Sequence, residues 1–220
     1  MRIDVYSDVV CPWCYIGEKR LARALAHRPD LEVEVSWRPF QLQPDMPKGG
    51  LPWAEFSRRK FGGESAAEAA FSHVSAVGEQ EGIRFDFGRV ASAPNTVDAH
   101  RLILFADTYV TQWQLADALF CAYFTEGKDL NNHEELVQVA SSVGLEAKEV
   151  AEYLAGEEAA SDVRSSQEEA QGLGISGVPF YVFDGRYAIY GAQPVEVFGE
   201  ALDTVRAGAA GRADRRPGSR

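Results

Sequence analysis

Cys11 and Cys14 are separated only by Pro12 and Trp13, in the run Ser7-Asp8-Val9-Val10-Cys11-Pro12-Trp13-Cys14-Tyr15. Thiol–disulfide exchange needs a thiolate that attacks and a second thiol close enough to release the mixed disulfide. A two-residue spacer at a helix start supplies both. There Cys11 stands beside free backbone N–H groups at the positive end of the helix dipole, which favours a thiolate. Pro12 suits the first helical position, where no N–H is needed. Cys14 falls one turn inward on a stripe with Leu21 and Leu25, so it is expected to be the more deeply buried. Cys11 is therefore the expected attacking thiol and Cys14 the resolving thiol.

The competing chemistry for such a pair is half of a zinc site. Zinc commonly takes two such pairs as its four ligands. The sequence has no second C-x-x-C, and His27, His73, His100 and His133 show no ligand spacing to the pair or to one another. No metal and no bound cofactor are expected. The third cysteine, Cys121, sits in the apolar helical run 119–124 and is expected to be an inert core residue. In a reducing compartment so close a pair is redox-active rather than structural.

The elements that must position this pair follow from hydrophobic periodicity. Residues 2–7 read as a strand and residues 12–27 as a helix. Residues 31–38 read as a second strand, with Leu31, Val33, Val35 and Trp37 facing one way. That unit implies a right-handed parallel crossover. Near the C-terminus, residues 180–183 and 187–190 form a hairpin around a two-residue Asp184-Gly185 turn. Pro194 then opens a final helix, whose apolar face is Val197, Phe198, Ala201, Leu202 and Val205. Between these parts, Asn95-x-x-Asp98, Thr111-x-x-Gln114 and Asn132-x-x-Glu135 look like capping pairs, and Gly127, Gly144 and Gly156 like helix stops. The expected organisation is β-α-β (1–48), a helical insertion (49–157), β-β-α (158–208) and a disordered tail (209–220) carrying Arg212, Arg215, Arg216 and Arg220.

Composition narrows the partners. The 220 residues include 45% hydrophobic residues, enough for a globular core, and carry a formal net charge of −11. That charge argues against nucleic acid or an anionic membrane as partner. No apolar run is long enough to span a bilayer. The N-terminus alternates like a strand rather than a secretion signal, so the expected location is the cytoplasm.

Several of these residues carry a family resemblance. Cys11-Pro12-Trp13-Cys14 after a short strand resembles the thioredoxin superfamily. The helical insertion with Gly177-Val178-Pro179-Phe180 is similar to its DsbA-like branch. Pro94-Asn95-Thr96, Ala99-His100-Arg101 and Tyr190-Gly191-Ala192-Gln193-Pro194 resemble the FrnE-like subgroup, itself similar to 2-hydroxychromene-2-carboxylate isomerases and kappa-class glutathione transferases. The likeness runs over about residues 2–205. It implies an α/β thioredoxin fold with a large all-α insertion, and a cis Val178–Pro179 peptide beside the cysteines, with Pro12, Trp13, Val178 and Pro179 supporting the pair. It also suggests that Asn95 lines the cleft, whereas by its position alone Asn95 caps a helix. His100 is expected to be buried and hydrogen-bonded; tuning Cys11 or binding a substrate carboxylate is its functional alternative. Strongly oxidising relatives carry His where Trp13 stands. Indole has no charge to stabilise a thiolate, so a weaker oxidant is expected.

The expected activity is that of a protein-disulfide oxidoreductase, acting on protein or small-molecule disulfides, with glutathione as a candidate thiol partner. A glutathione-dependent isomerase or transferase of secondary metabolism is one alternative, although it has no need of Cys14. A redox-switched chaperone is the other. A homodimer is the assembly that base rates favour. Trp53, Phe56, Trp113 and Phe120 read as helical core, some of which could wall a substrate site.

Overall fold

The computed structural model describes the backbone of residues 1–109 and 112–213, and the side chains of residues 1–106 and 112–208. Its central sheet has four strands in the order β2-β1-β5-β6: β1 (Arg2–Ser7), β2 (Glu34–Pro39), β5 (Phe180–Phe183) and β6 (Tyr187–Tyr190). β1 runs parallel to β2 and antiparallel to β5, and β5 and β6 are antiparallel. The parallel pair is joined by α1 (Pro12–Ala26). The protein is thus an α/β chain with a thioredoxin-type sheet, as its sequence implies.

Alternation along β1 sends its side chains to two faces. Ile3 and Val5 are fully buried in the main core, with Leu21 and Ala24 of α1 and with Tyr181 and Phe183 of β5. Phe198, Ala201 and Leu202 of the final helix α9 (Val195–Ala213) are buried in the same core. Burying one such aliphatic side chain contributes roughly 1.5–3 kcal/mol. Tyr6 instead joins Phe40, Ala170 and Ile175 in a second cluster. That cluster brings α8 (Ala160–Gly172) against the other side of the sheet. There Ser166 Oγ donates to Pro39 O at 2.9 Å, and Gln41 N donates to Gln167 Oε1 at 2.7 Å.

The interruption between the two halves of the sheet is helical: α2 (Trp53–Phe61), α3 (Glu64–Gln80), α4 (Val97–Tyr109), α5 (Gln112–Cys121), α6 (His133–Ser142) and α7 (Ala147–Ala155). A π-helical turn, Ala122–Glu126, continues α5. Asn95 Oδ1 accepts from Val97 N at 3.0 Å and Asn132 Oδ1 from Glu134 N at 2.9 Å. Each of these two expected capping pairs is only half formed. Asp98 turns to Arg101 and His133, and Glu135 accepts from Asp129 N. The Thr111-x-x-Gln114 pair begins outside the described residues.

Four sequence expectations need correction. β2 starts at Glu34 rather than at position 31, because β1 begins at Arg2 and its register partner is Glu34; Leu31 N is engaged in a turn with Arg28 O. The hairpin loop holds three residues, since Phe183 pairs with Tyr187. Asp184 and Gly185 both adopt left-handed backbone, at φ 48° and 66°. The helical block also contains a small sheet, β3 (Leu51–Pro52) against β4 (Ser92–Ala93), too short to leave a sequence period. α9 runs to Ala213, so residues 209–213 of the expected tail are helical; residues 214–220 lie outside the described residues. Among the described residues no helix is long and apolar enough to cross a membrane.

Candidate active site

The end of β1 and the start of α1 form the site. After Ser7 the chain turns through Asp8–Cys11, with Cys11 N donating to Asp8 O at 3.0 Å. Cys11 is the N-cap of α1 in extended backbone (φ −100°, ψ 109°), and Pro12 is the first helical residue. Cys14 N then donates to Cys11 O at 2.9 Å, closing the first turn. Cys11 and Cys14 are free thiols, 5% and 1% exposed. The Cys11 thiol donates to Val178 O at 3.7 Å across the Val178–Pro179 peptide, which is cis.

Burial pushes the Cys14 thiol well above its ordinary range. The hydrogen bond with Cys11 and its charge add to that shift, while Ser7 and the Asp8 backbone pull the other way. Cys14 is therefore held as a protonated thiol beside Cys11.

Cys11 also lines a cavity of about 290 Å³. Its far wall comes from α2, α3 and the segment before β4: Trp53, Phe56, Phe71 and Phe87. Trp53 stacks on Phe71 at 5.4 Å between ring centroids, and Phe71 on Phe87 at 4.5 Å. Trp13 lines the near side and contacts His73 at 5.8 Å between ring centroids. Of the four aromatic residues singled out from sequence, Trp53 and Phe56 reach this cavity. Trp113 and Phe120 instead pack around Trp37.

Asn95 and His100 are not among the residues lining the cavity. Asn95 Nδ2 donates to Met46 O at 2.6 Å while its Oδ1 caps α4, so both ends of the amide serve the chain; Asn95 borders a separate polar cleft with Asp98 and Arg101. His100 is 2% exposed and meets the site through Asp8. Its Nε2 lies 3.3 Å from Asp8 Oδ1, without hydrogen-bond alignment. Asp8 is 1% exposed, lines the cavity, and accepts from Leu42 N through Oδ2 at 2.8 Å.

Sequence reasoning missed three buried groups around α1: Asp8, Glu18 and Tyr181. Burial pushes Glu18 up to about 7, with Asp117 adding to this while Lys19 and Trp113 oppose it. Trp113 Nε1 donates to Glu18 Oε1, and Oε2, without an aligned hydrogen bond, lies 3.5 Å from Lys19 Nζ. Tyr181 is buried with its hydroxyl unpartnered. Burial raises it well above the tyrosine range, with Cys14, Glu18 and Cys11 as further causes. Gly17 makes room for that hydroxyl: a Cβ there would stand 2.2 Å from it. The readable signal for Glu18 was an acid four residues after Cys14, inside an otherwise apolar stripe. Cys121 is half-buried rather than fully in the core, and burial raises its thiol. Among the described residues no group of three His, Cys, Asp or Glu side chains could hold a metal ion.

A family model described as a DSBA-like thioredoxin domain matches residues 2–203. The chain belongs to that family. A probable DsbA oxidoreductase from Streptomyces coelicolor is 34% identical, covering 100% of this chain and 93% of that one, with a TM-score of 0.85. YwbO of Bacillus subtilis is 27% identical over 208 residues, 92% of this chain and 96% of its own. The cytosolic disulfide reductase DsbM of Pseudomonas aeruginosa, solved with GSH, shares the fold at 17% identity and a TM-score of 0.62, over 97% of this chain and all of DsbM.

Proposed function

We propose that this DsbA-like chain is a thiol–disulfide oxidoreductase in which Cys11 attacks and Cys14 resolves. The observation that carries the proposal is the asymmetry of the pair. Cys11, at the helix start, lines a cavity, while Cys14 sits behind it as a buried, protonated thiol. A substrate disulfide reaching the cavity is attacked by the Cys11 thiolate, and one substrate thiolate leaves. Cys14 then gives up its proton, attacks Cys11 Sγ and releases the second product thiol. The pair ends as a disulfide, and a small thiol reopens it. We take glutathione as that thiol and the cytoplasm as the compartment, in keeping with DsbM. Electrons pass from sulfur to sulfur, so the exchange calls on no cofactor. Trp13 and Pro12 fix the helix start, and Val178 with Pro179 flanks Cys11 from the loop before β5. Because Trp13 supplies no charge, the couple should be a weaker oxidant than DsbA proteins with His at that position.

The test is reduction of insulin and of a small aliphatic disulfide by wild type and Cys11→Ala. The variant should fall to the uncatalysed background with both. Normal turnover by Cys11→Ala contradicts the assignment.

A further inference from the structure

We infer that the cavity at Cys11 selects a small, planar aromatic disulfide carrying an anionic group, rather than a protein disulfide. This rests on the reading of Cys11 and Cys14 as an exchange pair and names its substrate class. Three observations carry it.

First, Cys11 is only 5% exposed and lines a cavity walled by α2 and α3. A small disulfide reaches a sulfur this buried with less rearrangement of the walls than a polypeptide needs. Second, the wall is aromatic and its rings are aligned. The planes of Trp53 and Phe87 differ by 8°, those of Phe71 and Phe87 by 17°, and those of Trp53 and Phe71 by 24°. A wall with one common ring orientation suits a flat ring system through offset stacking. Apolar cavities of roughly 150 Å³ hold one benzene ring, so about 290 Å³ takes a body of one or two rings. Third, the lining holds one ammonium group, Lys60, whose Nζ lies 5.3 Å from the centre of the Phe56 ring. The carboxylate in the lining, Asp8, is instead engaged by Leu42 N. It can receive a carboxylate borne by the ring, while the rest of the ligand stays in the apolar space.

The reaction is balanced by the protein's own dithiol. Cys11 Sγ forms a bond to one sulfur of Ar–S–S–Ar, and the other leaves as Ar–S⁻. Cys14 Sγ then bonds to Cys11 Sγ and displaces the second Ar–S⁻. The aryl disulfide gains two electrons, the protein pair loses two, and the two thiol protons pass to the products or to solvent.

The test is a single-turnover reaction of reduced protein in a Cys121→Ser background, so that only the pair reports. The probes are 5,5′-dithiobis(2-nitrobenzoate), neutral 4,4′-dithiodipyridine, aliphatic 2-hydroxyethyl disulfide and insulin. Each rate is divided by that of the same probe with dithiothreitol, which removes intrinsic reactivity. The normalised rates should favour both aryl probes over the aliphatic disulfide and insulin by at least about tenfold, and should saturate with concentration. Ala70→Trp fills the cavity without deleting a packed side chain and should collapse that ratio; its unfolding midpoint checks that it folds. Lys60→Gln should weaken half-saturation by the anionic probe several-fold relative to the neutral one. Linear kinetics with no aryl preference, or a preference that survives Ala70→Trp, overturns this inference and leaves the exchange mechanism standing. Failure of every probe to oxidise the pair overturns the exchange mechanism itself.

Discussion

On the outer side of the cysteine pair the chain builds an aromatic cavity that Cys11 lines. On the inner side, the neighbours that act on Cys14 and Tyr181 are polar and hydrogen-bonded only in part: the Ser7 and Tyr181 hydroxyls lack partners, and Glu18 Oε2 has Lys19 Nζ at 3.5 Å without an aligned hydrogen bond, while Asp8 reaches from the cavity to His100. Buried polar groups are normally paired, so incompletely paired groups behind one sulfur call for a physical account. The contrast supplies one. The outer surroundings of Cys11 present apolar surface to an incoming molecule. In the proposed exchange, the inner groups neighbour a thiol that must hold its proton and then release it. Two chemically identical side chains acquire different tasks from what lies on either side of one helical turn.

The largest effect should separate the two sulfurs outright. Cys11→Ala should reduce exchange to the uncatalysed background. Cys14→Ala should still attack but should stall, with the mixed disulfide on Cys11 visible by intact-protein mass spectrometry. If Cys14→Ala instead turns over like wild type, the inner thiol is not the resolving group.

The next effect probes the inner side alone. Folded protein holds the Glu18 proton up to about 7, against an ordinary value of 4.5 for the unfolded chain. The folded state therefore binds the proton more tightly. That stabilisation is complete below the unfolded value and is lost as pH rises through the folded one, roughly 3 kcal/mol in all. Glu18→Gln should flatten this decline, as read by urea unfolding at pH 4.5, 6 and 8. An equal decline in the variant would place the proton elsewhere.

A smaller effect concerns packing behind the pair. Gly17→Ala drives a methyl into the Tyr181 hydroxyl and should cost about 1–3 kcal/mol. Adding Tyr181→Phe removes the oxygen in the way and should recover much of that cost, giving a positive coupling in the double-mutant cycle. Additive losses would mean that the two groups do not share the space. The smallest effect belongs to the rim. His73→Ala should change stability by less than about 0.5 kcal/mol, since His73 is exposed, while shifting Trp13 fluorescence.

How much of this was legible in the sequence depended on how local the cause was. The placement of Cys11 and Cys14 at the start of α1 follows from Pro12 and the stripe through Leu21, all within a few turns of chain. The β-α-β and β-β-α halves likewise rest on short-range periodicity and on Asp184-Gly185. The start of β2 did not, because a strand begins where its partner begins, and the partner lies about thirty residues away, at Arg2. The cavity was least legible. Trp53, Phe71 and Phe87 come from three separate segments, and nothing in their spacing says that their rings stack together. Glu18 was readable in principle, as an acid on the Cys14 stripe. Tyr181 was not, since only the close approach at Gly17 reveals what its hydroxyl meets.

The most direct test of the account is to equilibrate the protein in glutathione buffers of graded oxidation, quench with acid and an alkylating agent, and weigh the intact chain. A single reversible two-electron transition, in which Cys11 and Cys14 lose and regain alkylation together while Cys121 stays alkylated throughout, is the predicted result. A chain in which Cys11 and Cys14 remain alkylated in the most oxidising buffer would contradict it.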